Sequence, residues 1–163
     1  IPESYINSER LRLEVYRKLA ASASETDLRL AVEEMEDRYG PVPEAVSRLL
    51  AVARLRHQAR RAGISEIIVQ GTRIKIGSVE LPDSRQVRLK RLFPGSTYRA
   101  AAKAIQVSFP KAGRGAGQPN LRDVELIQWV ADFLTKMFDV EAVDVTGGAP
   151  AKKKVFSVTE VKR

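Results

Sequence analysis

The chain has 163 residues, of which 44% are hydrophobic and 29% charged, a composition typical of a globular domain and not of a disordered tail. It contains no cysteine, which excludes disulfides, thiolate metal sites and cysteine nucleophiles, and its single histidine argues against histidine-built metal or catalytic centres. Its 28 basic and 20 acidic residues give a formal net charge of +8, which favours polyanions, with nucleic acid as the default partner.

Charge is distributed unevenly along the chain. Residues 1–50 have a net charge of −3, residues 51–145 of +7 and residues 146–163 of +4. The acidic first third argues against a module that simply coats DNA. No apolar run approaches the roughly 18 to 20 residues of a membrane span, and the absence of cysteine fits a reducing cytoplasm. Because the chain begins at Ile1 and not at methionine, we expect a fragment of a longer protein.

Two helices are predicted at the start of the chain. Ser8 is placed to cap a first helix over residues 8–21, in which apolar residues recur every fourth position. Ser24 followed by Asp27 resembles the capping box of a second helix. This second helix is expected to end at Gly40, which adopts a left-handed conformation easily.

A third helix is predicted from about Pro43 or Glu44 to Ala62, and it is apolar on two sides. One side carries Val46, Leu49, Leu50 and Ala53, and the other carries Val52 and Leu55. We therefore expect this helix to be sandwiched between two layers of the fold. His57 falls on the first of these sides, which indicates a partly buried helix residue and not a ligand.

The apolar period changes from 3.6 to about 2 after Gly63. Residues 66–69 and 73–76 flank Gly71-Thr72 and predict a β-hairpin. Residues 78–81 are a candidate extension of its second strand.

The next segment, residues 84–93, fits either a strand or one face of a helix, and we favour a helix capped by Asp83 or Ser84. Residues 104–109 predict a further strand, paired with the stretch around Tyr98.

A glycine-containing loop over residues 111–119 precedes a final long helix opened by Asn120 with Asp123. The predicted fold is α+β, with N-terminal helices, a small mostly antiparallel sheet and a closing C-terminal helix. We expect a domain over residues 1–145 and a flexible basic tail over residues 146–163.

The sequence lacks the patterns of a catalytic site. The three glycines of the loop precede Gln118-Pro119 without the lysine of a phosphate-binding loop. The clustered carboxylates of the second helix lack converging histidines and lie along one exposed face, so bulk magnesium would meet them still hydrated. We therefore expect neither catalysis, nor a metal, nor a cofactor.

The second helix carries an unusual surface opposite its apolar stripe. At about 100° per residue, Leu30 and Asp37 lie almost opposite that stripe, flanked by Glu33 and Glu34. An apolar side chain among acidic residues is typical of a docking surface. A solvated face with one harmless leucine has the same pattern, and the helical wheel leaves both interpretations open.

The basic half of the chain offers candidate phosphate contacts. These are Arg54, Arg56, Arg60 and Arg61 in the third helix, and Arg85, Arg88, Lys90 and Arg91 in the segment after the hairpin. No aromatic residue interleaves them, so a base-stacking platform is not indicated.

Several short motifs together resemble a known family. They are Ile1-Pro2, Tyr5-Ile6, Arg10-Leu11, Tyr16-Arg17, Glu34-x-x-Asp37-Arg38-Tyr39-Gly40-x-x-Pro43, Leu49-Leu50, Ala53-Arg54-Leu55-Arg56 and Gly63-Ile64. This series resembles the C-terminal (TRCF) domain of the bacterial transcription-repair coupling factors, the superfamily-2 translocases called Mfd. The likeness extends over about residues 1–140 and is weaker toward the final helix.

The resemblance implies a non-catalytic, autoinhibitory domain of a longer ATP-dependent DNA translocase, which couples removal of stalled RNA polymerase to nucleotide excision repair. In the family, this domain packs against an N-terminal module similar to the excision-repair protein UvrB. It thereby hides the surface that recruits UvrA and restrains the motor until a stalled polymerase is engaged.

Carried over residue by residue, the resemblance implies that Glu34, Asp37 and Arg38 contact this partner, and the helical wheel adds Leu30 and Glu33. The expected partners are the UvrB-like module of the same longer chain, with RNA polymerase and DNA bound through other parts of that chain. No membrane partner is expected. Direct nucleic-acid binding through the basic residues named above is the competing hypothesis.

Overall fold

The computed structural model describes residues 1–113 and 117–146. The helices are α1 (Glu9–Ala21), α2 (Glu25–Tyr39), α3 (Glu44–Arg61), α4 (Asp83–Leu92) and α5 (Asp123–Phe138), and the strands are β1 (Glu66–Gln70), β2 (Arg73–Gly77), β3 (Thr97–Arg99) and β4 (Ala104–Ser108). This is the α+β arrangement that the sequence predicts. All of the predicted tail except its first residue lies outside the described residues.

Helices α1 and α2 have the predicted serines at their N-cap positions, but only one of these serines makes a capping hydrogen bond. The Ser24 hydroxyl accepts a hydrogen bond from the Asp27 backbone N–H at 3.1 Å, and the Asp27 carboxylate accepts one from the Ser24 N–H at 3.0 Å. These two bonds form the predicted capping box of α2. Ser8 occupies the N-cap position of α1, but its side chain makes no capping hydrogen bond.

Helix α3 lies between two layers. Val46 and Leu50 pack with α1 and α2, around Leu28 and Met35. Further along α3, other side chains pack with α5 and with the sheet. The predicted sandwich is therefore present, except that Val52 is 42% exposed.

The four strands form one antiparallel sheet in the order β1-β2-β4-β3. Gln70 pairs with Arg73, so Gly71 and Thr72 form a two-residue hairpin turn. Gly71 has a φ of +58°, which glycine adopts without the steric cost of a Cβ atom. The order leaves β1 and β3 as the edge strands. The apolar face of the central strands packs against α5.

Two predicted boundaries differ in the segment after the hairpin. Residues 78–81 do not extend β2, because Ser78 has a φ of +63° and turns the chain out of the sheet. The next element is a helix, as favoured, but its N-cap is Pro82 instead of Asp83 or Ser84. The Pro82 carbonyl accepts hydrogen bonds from the N–H groups of the first turn.

The start of α5 also differs from the prediction. Arg122 and not Asn120 is its N-cap, and the Arg122 side chain makes no capping hydrogen bond. The Asn120 side chain instead accepts a hydrogen bond from Lys111 at 2.7 Å, across a bridge that closes the preceding loop. None of the helices in the described ranges is long and apolar enough to cross a bilayer.

Candidate functional site

The solvent face of α2 carries the predicted docking residues. Leu28, Ala31 and Met35 bury the opposite face of this helix against α1 and α3. Leu30 is 52% exposed, and Asp37 lies two helical turns further along the same face. The helical wheel therefore placed both residues correctly. Packing fixes the helix and leaves the Leu30 side chain exposed to water on the same face as the Asp37 carboxylate.

Three of the predicted residues are held in ion pairs. The Lys18 ammonium of α1 donates to the Glu34 carboxylate, which also accepts a bond from the Arg38 guanidinium at 3.4 Å. The hydrogen bond and charge of Lys18, followed by those of Arg38, hold the pKa of Glu34 below its ordinary value. Glu33 pairs with Arg29 at 3.1 Å, one turn away on α2.

Asp37 differs from Glu33 and Glu34, the two acidic residues that flank it on this face. It makes no hydrogen bond or ion pair with any residue in the described ranges. Its charge is therefore available to a partner cation without the loss of an existing contact. The carboxylates of Glu33 and Glu34, by contrast, already have partners within the domain.

The C-terminal end of α2 is fixed by Tyr5 from the segment before α1. The Tyr5 hydroxyl donates a hydrogen bond to the Gly40 carbonyl at 2.7 Å. The Tyr5 ring also packs edge-on against the Tyr39 ring, with 5.9 Å between the ring centroids. Burial, followed by the nearby charge of Glu36, raises the pKa of Tyr5. This contact holds the last turn of α2, and with it Asp37, in position.

Sequence reasoning missed two of the cations on this surface. Arg29 stands four residues before Glu33, so the helical spacing alone could have revealed that pair. Lys18 comes from the neighbouring helix, and no sequence pattern places it beside Glu34. With these two residues included, the surface carries mixed charges around Leu30. Asp37 and the adjacent Glu36 are exposed acidic residues of α2 that make no hydrogen bond or ion pair within the described residues.

The candidate phosphate contacts are not equally accessible, because some are buried or held in ion pairs. Arg54 is only 7% exposed, and its guanidinium donates to Glu25 at 2.8 Å and to the Val145 carbonyl at 3.1 Å, so a phosphate cannot reach it. Arg85 and Arg88 pair with Asp139. The remaining cations are divided between α3 and α4, which pack against α5.

Two other side chains have structural roles. The His57 ring donates from Nε2 to the Ser22 carbonyl at 2.8 Å, as expected of a partly buried helix residue. Arg61 pairs with Glu141 at 3.3 Å. Within residues 1–113 and 117–146, no three acidic or histidine side chains converge as metal ligands would.

Comparisons with known proteins agree on one family. The sequence model of the TRCF domain matches residues 1–92. Transcription-repair-coupling factors of Mycobacterium bovis and Mycobacterium tuberculosis are each 49% identical over 138 residues, which is 84% of this chain and 11% of theirs. The Escherichia coli factor is 34% identical over 67 residues, 41% of this chain and 6% of its own length.

A crystal structure of the C-terminal domain of a transcription-repair coupling factor has the same fold. It superposes with a TM-score of 0.62 over 85% of this chain and 88% of that one, at 14% identity. The chain spans about a tenth of the length of the curated relatives it matches.

Proposed function

Because this chain belongs to the TRCF domain family, we propose that it is a regulatory docking domain of a transcription-repair coupling factor, without catalysis of its own. Its partner would be the UvrB-like module of the same longer protein. Docking would cover the surface that recruits UvrA and restrain the translocase. Release at a stalled RNA polymerase would then allow both repair recruitment and DNA translocation.

The observation that carries this proposal is the pair formed by Leu30 and Asp37. Both side chains are exposed on one face of α2, about two turns apart, and neither packs into the domain. A leucine supplies apolar area that is shielded from water on docking, and an unpaired carboxylate selects a partner cation and fixes register. Glu33, Glu34 and Arg38 would form the charged rim.

A regulatory contact of this kind must be reversible. A free-energy preference of a few kcal/mol for the docked state is sufficient to keep the domain docked. Polymerase binding then releases it, provided that this binding favours the undocked state by more. Charge pairing at an exposed rim is weakened by salt, because the screening length is about 10 Å at 0.1 M ionic strength. The proposed contact should therefore weaken as ionic strength rises.

The experiment is a calorimetric titration of this domain against the separately produced UvrB-like module, continued to millimolar concentration because the natural contact is tethered. Asp37→Arg reverses the unpaired charge. Glu125→Arg makes the same change at an exposed position of α5 with no partner in the described ranges. We expect saturable binding that Asp37→Arg abolishes and Glu125→Arg retains. Equal affinities for the two variants, or no binding by the folded native domain, would overturn the proposal.

A second candidate function is direct binding to nucleic acid. Lys90 and Arg91 are adjacent, exposed and without an ion pair in the described ranges, which favours phosphate contact at the end of α4. Titration with duplex DNA at low salt tests it, with Lys90→Gln/Arg91→Gln as the variant. Binding that falls by roughly one log unit per log unit of salt for each phosphate contact would support it. No binding at low salt would exclude it.

A further inference from the structure

Strand β1 is an apolar edge of the sheet without the usual protection against another strand. It pairs only with β2 among the described strands. Natural edge strands are normally very short, charged or covered, because a free edge is a template for a further strand. β1 has five residues, with Ile68 37% and Val69 53% exposed, and its one charged residue, Glu66, is held by Lys75 at 2.8 Å. The opposite edge, β3, has only three residues and ends in the exposed Arg99.

The main-chain groups of β1 are also placed to accept another strand. Gln70 and Arg73 close the two-residue turn, so this pair exchanges both of its main-chain hydrogen bonds, and bonded pairs alternate along the ladder from there. The N–H and C=O groups of Ile67 and Val69 therefore point away from β2, toward the free edge.

The sequence of β1 is complementary to itself in the antiparallel direction. It reads Glu66-Ile67-Ile68-Val69-Gln70. When two copies pair about Ile68, all five residues find a partner, and each Ile68 faces the Ile68 of the second copy. Ile67 then lies opposite Val69, so the outward main-chain groups of both meet, and Glu66 lies opposite Gln70. Apolar residues face apolar residues and no like charges are opposed, which is the condition for favourable cross-strand pairs.

A groove beside β1 has room for the side chains of this second strand. It lies between α3 and β1, has a volume of about 590 Å³, and includes Leu55, Ala59 and Ile67 in its lining. Directly opposed residues of an antiparallel pair share a face of the sheet. Val69 of the second copy, opposite Ile67, is therefore on the face that lines the groove. Pairing would transfer this exposed side chain from water to apolar surroundings.

We propose that β1 is a self-association surface, through which two copies of this chain pair antiparallel about Ile68 and join their sheets into one. The contact is isologous, because the same strand serves on both sides of a two-fold axis, and it therefore closes at the dimer. It uses no residue of the α2 face around Leu30 and Asp37, so it goes beyond the proposed docking and does not depend on it.

The dimer should be weak, and salt should strengthen it. Stable interfaces bury about 1,200–2,000 Å² in total, more than one short strand edge supplies. The two-fold axis is perpendicular to the joined sheet, so α3 of both copies lies on the same side of it. Arg56 and Arg60 of α3 line the groove, are exposed and make no ion pair in the described ranges. Salt screens the repulsion between these like charges, whereas it weakens the proposed α2 contact.

Sedimentation equilibrium of the complete 163-residue chain, from micromolar to millimolar concentration, tests this. The native mass should approach that of a dimer as concentration rises. Ile68→Lys and Ile68→Glu each place two like charges opposite one another at the axis, and each should weaken association at least roughly tenfold. Thr97→Lys, in the same row of the sheet but on β3, should leave association unchanged. Circular dichroism shows that each variant folds.

Mixing the two Ile68 variants gives the most specific result. An equimolar mixture of Ile68→Lys and Ile68→Glu should regain the dimer, because opposite charges then meet at the axis. A native chain that remains monomeric at millimolar concentration would overturn the proposal. So would a dimer that Ile68→Lys leaves intact, one that Thr97→Lys weakens equally, or a mixture that stays monomeric.

Discussion

At the scale of single residues, burial decides what a charged side chain can do. Arg54 and Arg56 lie on the same turn of α3, and the sequence predicts both as candidate phosphate contacts. Arg54 is buried and bonded to Glu25 and to the Val145 carbonyl, whereas Arg56 is exposed and makes no ion pair with any residue in the described ranges. The first therefore holds the segment after α5 against α3, and the second is free to meet a ligand.

Replacing Arg54 with methionine should lower the free energy of unfolding by about 1–3 kcal/mol. The replacement keeps much of the apolar stem but leaves the Val145 carbonyl without its donor. The matched variant Arg56→Met should change stability by no more than about 0.5 kcal/mol. Urea denaturation of both variants provides the measurement, and equal losses would contradict the structural role of Arg54.

Asp27 should make the stability of α2 depend on pH. Its carboxylate accepts hydrogen bonds from the Ala23 and Ser24 N–H groups, which together with the Ser24 hydroxyl hold the pKa of Asp27 below its ordinary value. A lowered folded-state pKa adds stability above the unfolded-state value, and this stability is lost as pH falls through the folded value. Asp27→Asn should thus destabilise the domain at neutral pH and have little effect in strong acid. Urea denaturation at several pH values tests this, and a pH-independent loss would contradict it.

At the scale of elements, α2 combines a fixed position with a free surface. The capping box sets where the helix begins, and Tyr5 holds its end at Gly40. The buried stripe between these ends fixes its rotation, so the face around Leu30 must lie outward. A docking helix needs this combination, because a partner can bind it only if the helix presents the same face each time.

Removing the cap should therefore weaken both the helix and its docking. Ser24→Ala eliminates the hydroxyl that accepts the Asp27 N–H, with an expected loss of about 1 kcal/mol in the free energy of unfolding. Ser8→Ala is the control, because the Ser8 side chain makes no capping bond. This substitution should lower the free energy of unfolding by less. Thermal unfolding followed by circular dichroism would show the difference. A larger loss for Ser8→Ala would contradict the capping assignment.

At the scale of the whole molecule, α3 joins the helical layer to the layer of sheet and α5. It contributes to the cluster with α1 and α2 on one side and to the cluster with α5 on another. Gln58, which is 1% exposed, strengthens this link, because its amide lies 3.1 Å from the Ala131 carbonyl and 3.0 Å from the Glu141 carbonyl. The two layers should therefore unfold together.

A core substitution in one layer should reveal this coupling. Phe133→Ala in α5 should lower the free energy of unfolding by about 3–5 kcal/mol, because the Phe133 ring is fully buried in the core cluster that α5 forms with the sheet. Trp129 lies in α5 and reports one layer, and a fluorescent label on α2 reports the other. If α3 couples the layers, both probes should give the same midpoint of unfolding in urea. Separate midpoints would show that the layers unfold independently.

The sequence alone determined the order and type of the elements, because apolar period, caps and the Gly71 turn are local signals. It also placed Leu30 and Asp37 correctly, since one helix and one buried stripe suffice to define the opposite face. Tertiary structure decided which charges are available. Lys18 reaches Glu34 from another helix, and the buried Arg54 donates a hydrogen bond to the carbonyl of Val145, 91 positions away along the chain. Contacts between distant segments have no periodic signature, so only the folded chain shows that Asp37 makes no ion pair while Glu33 and Glu34 do.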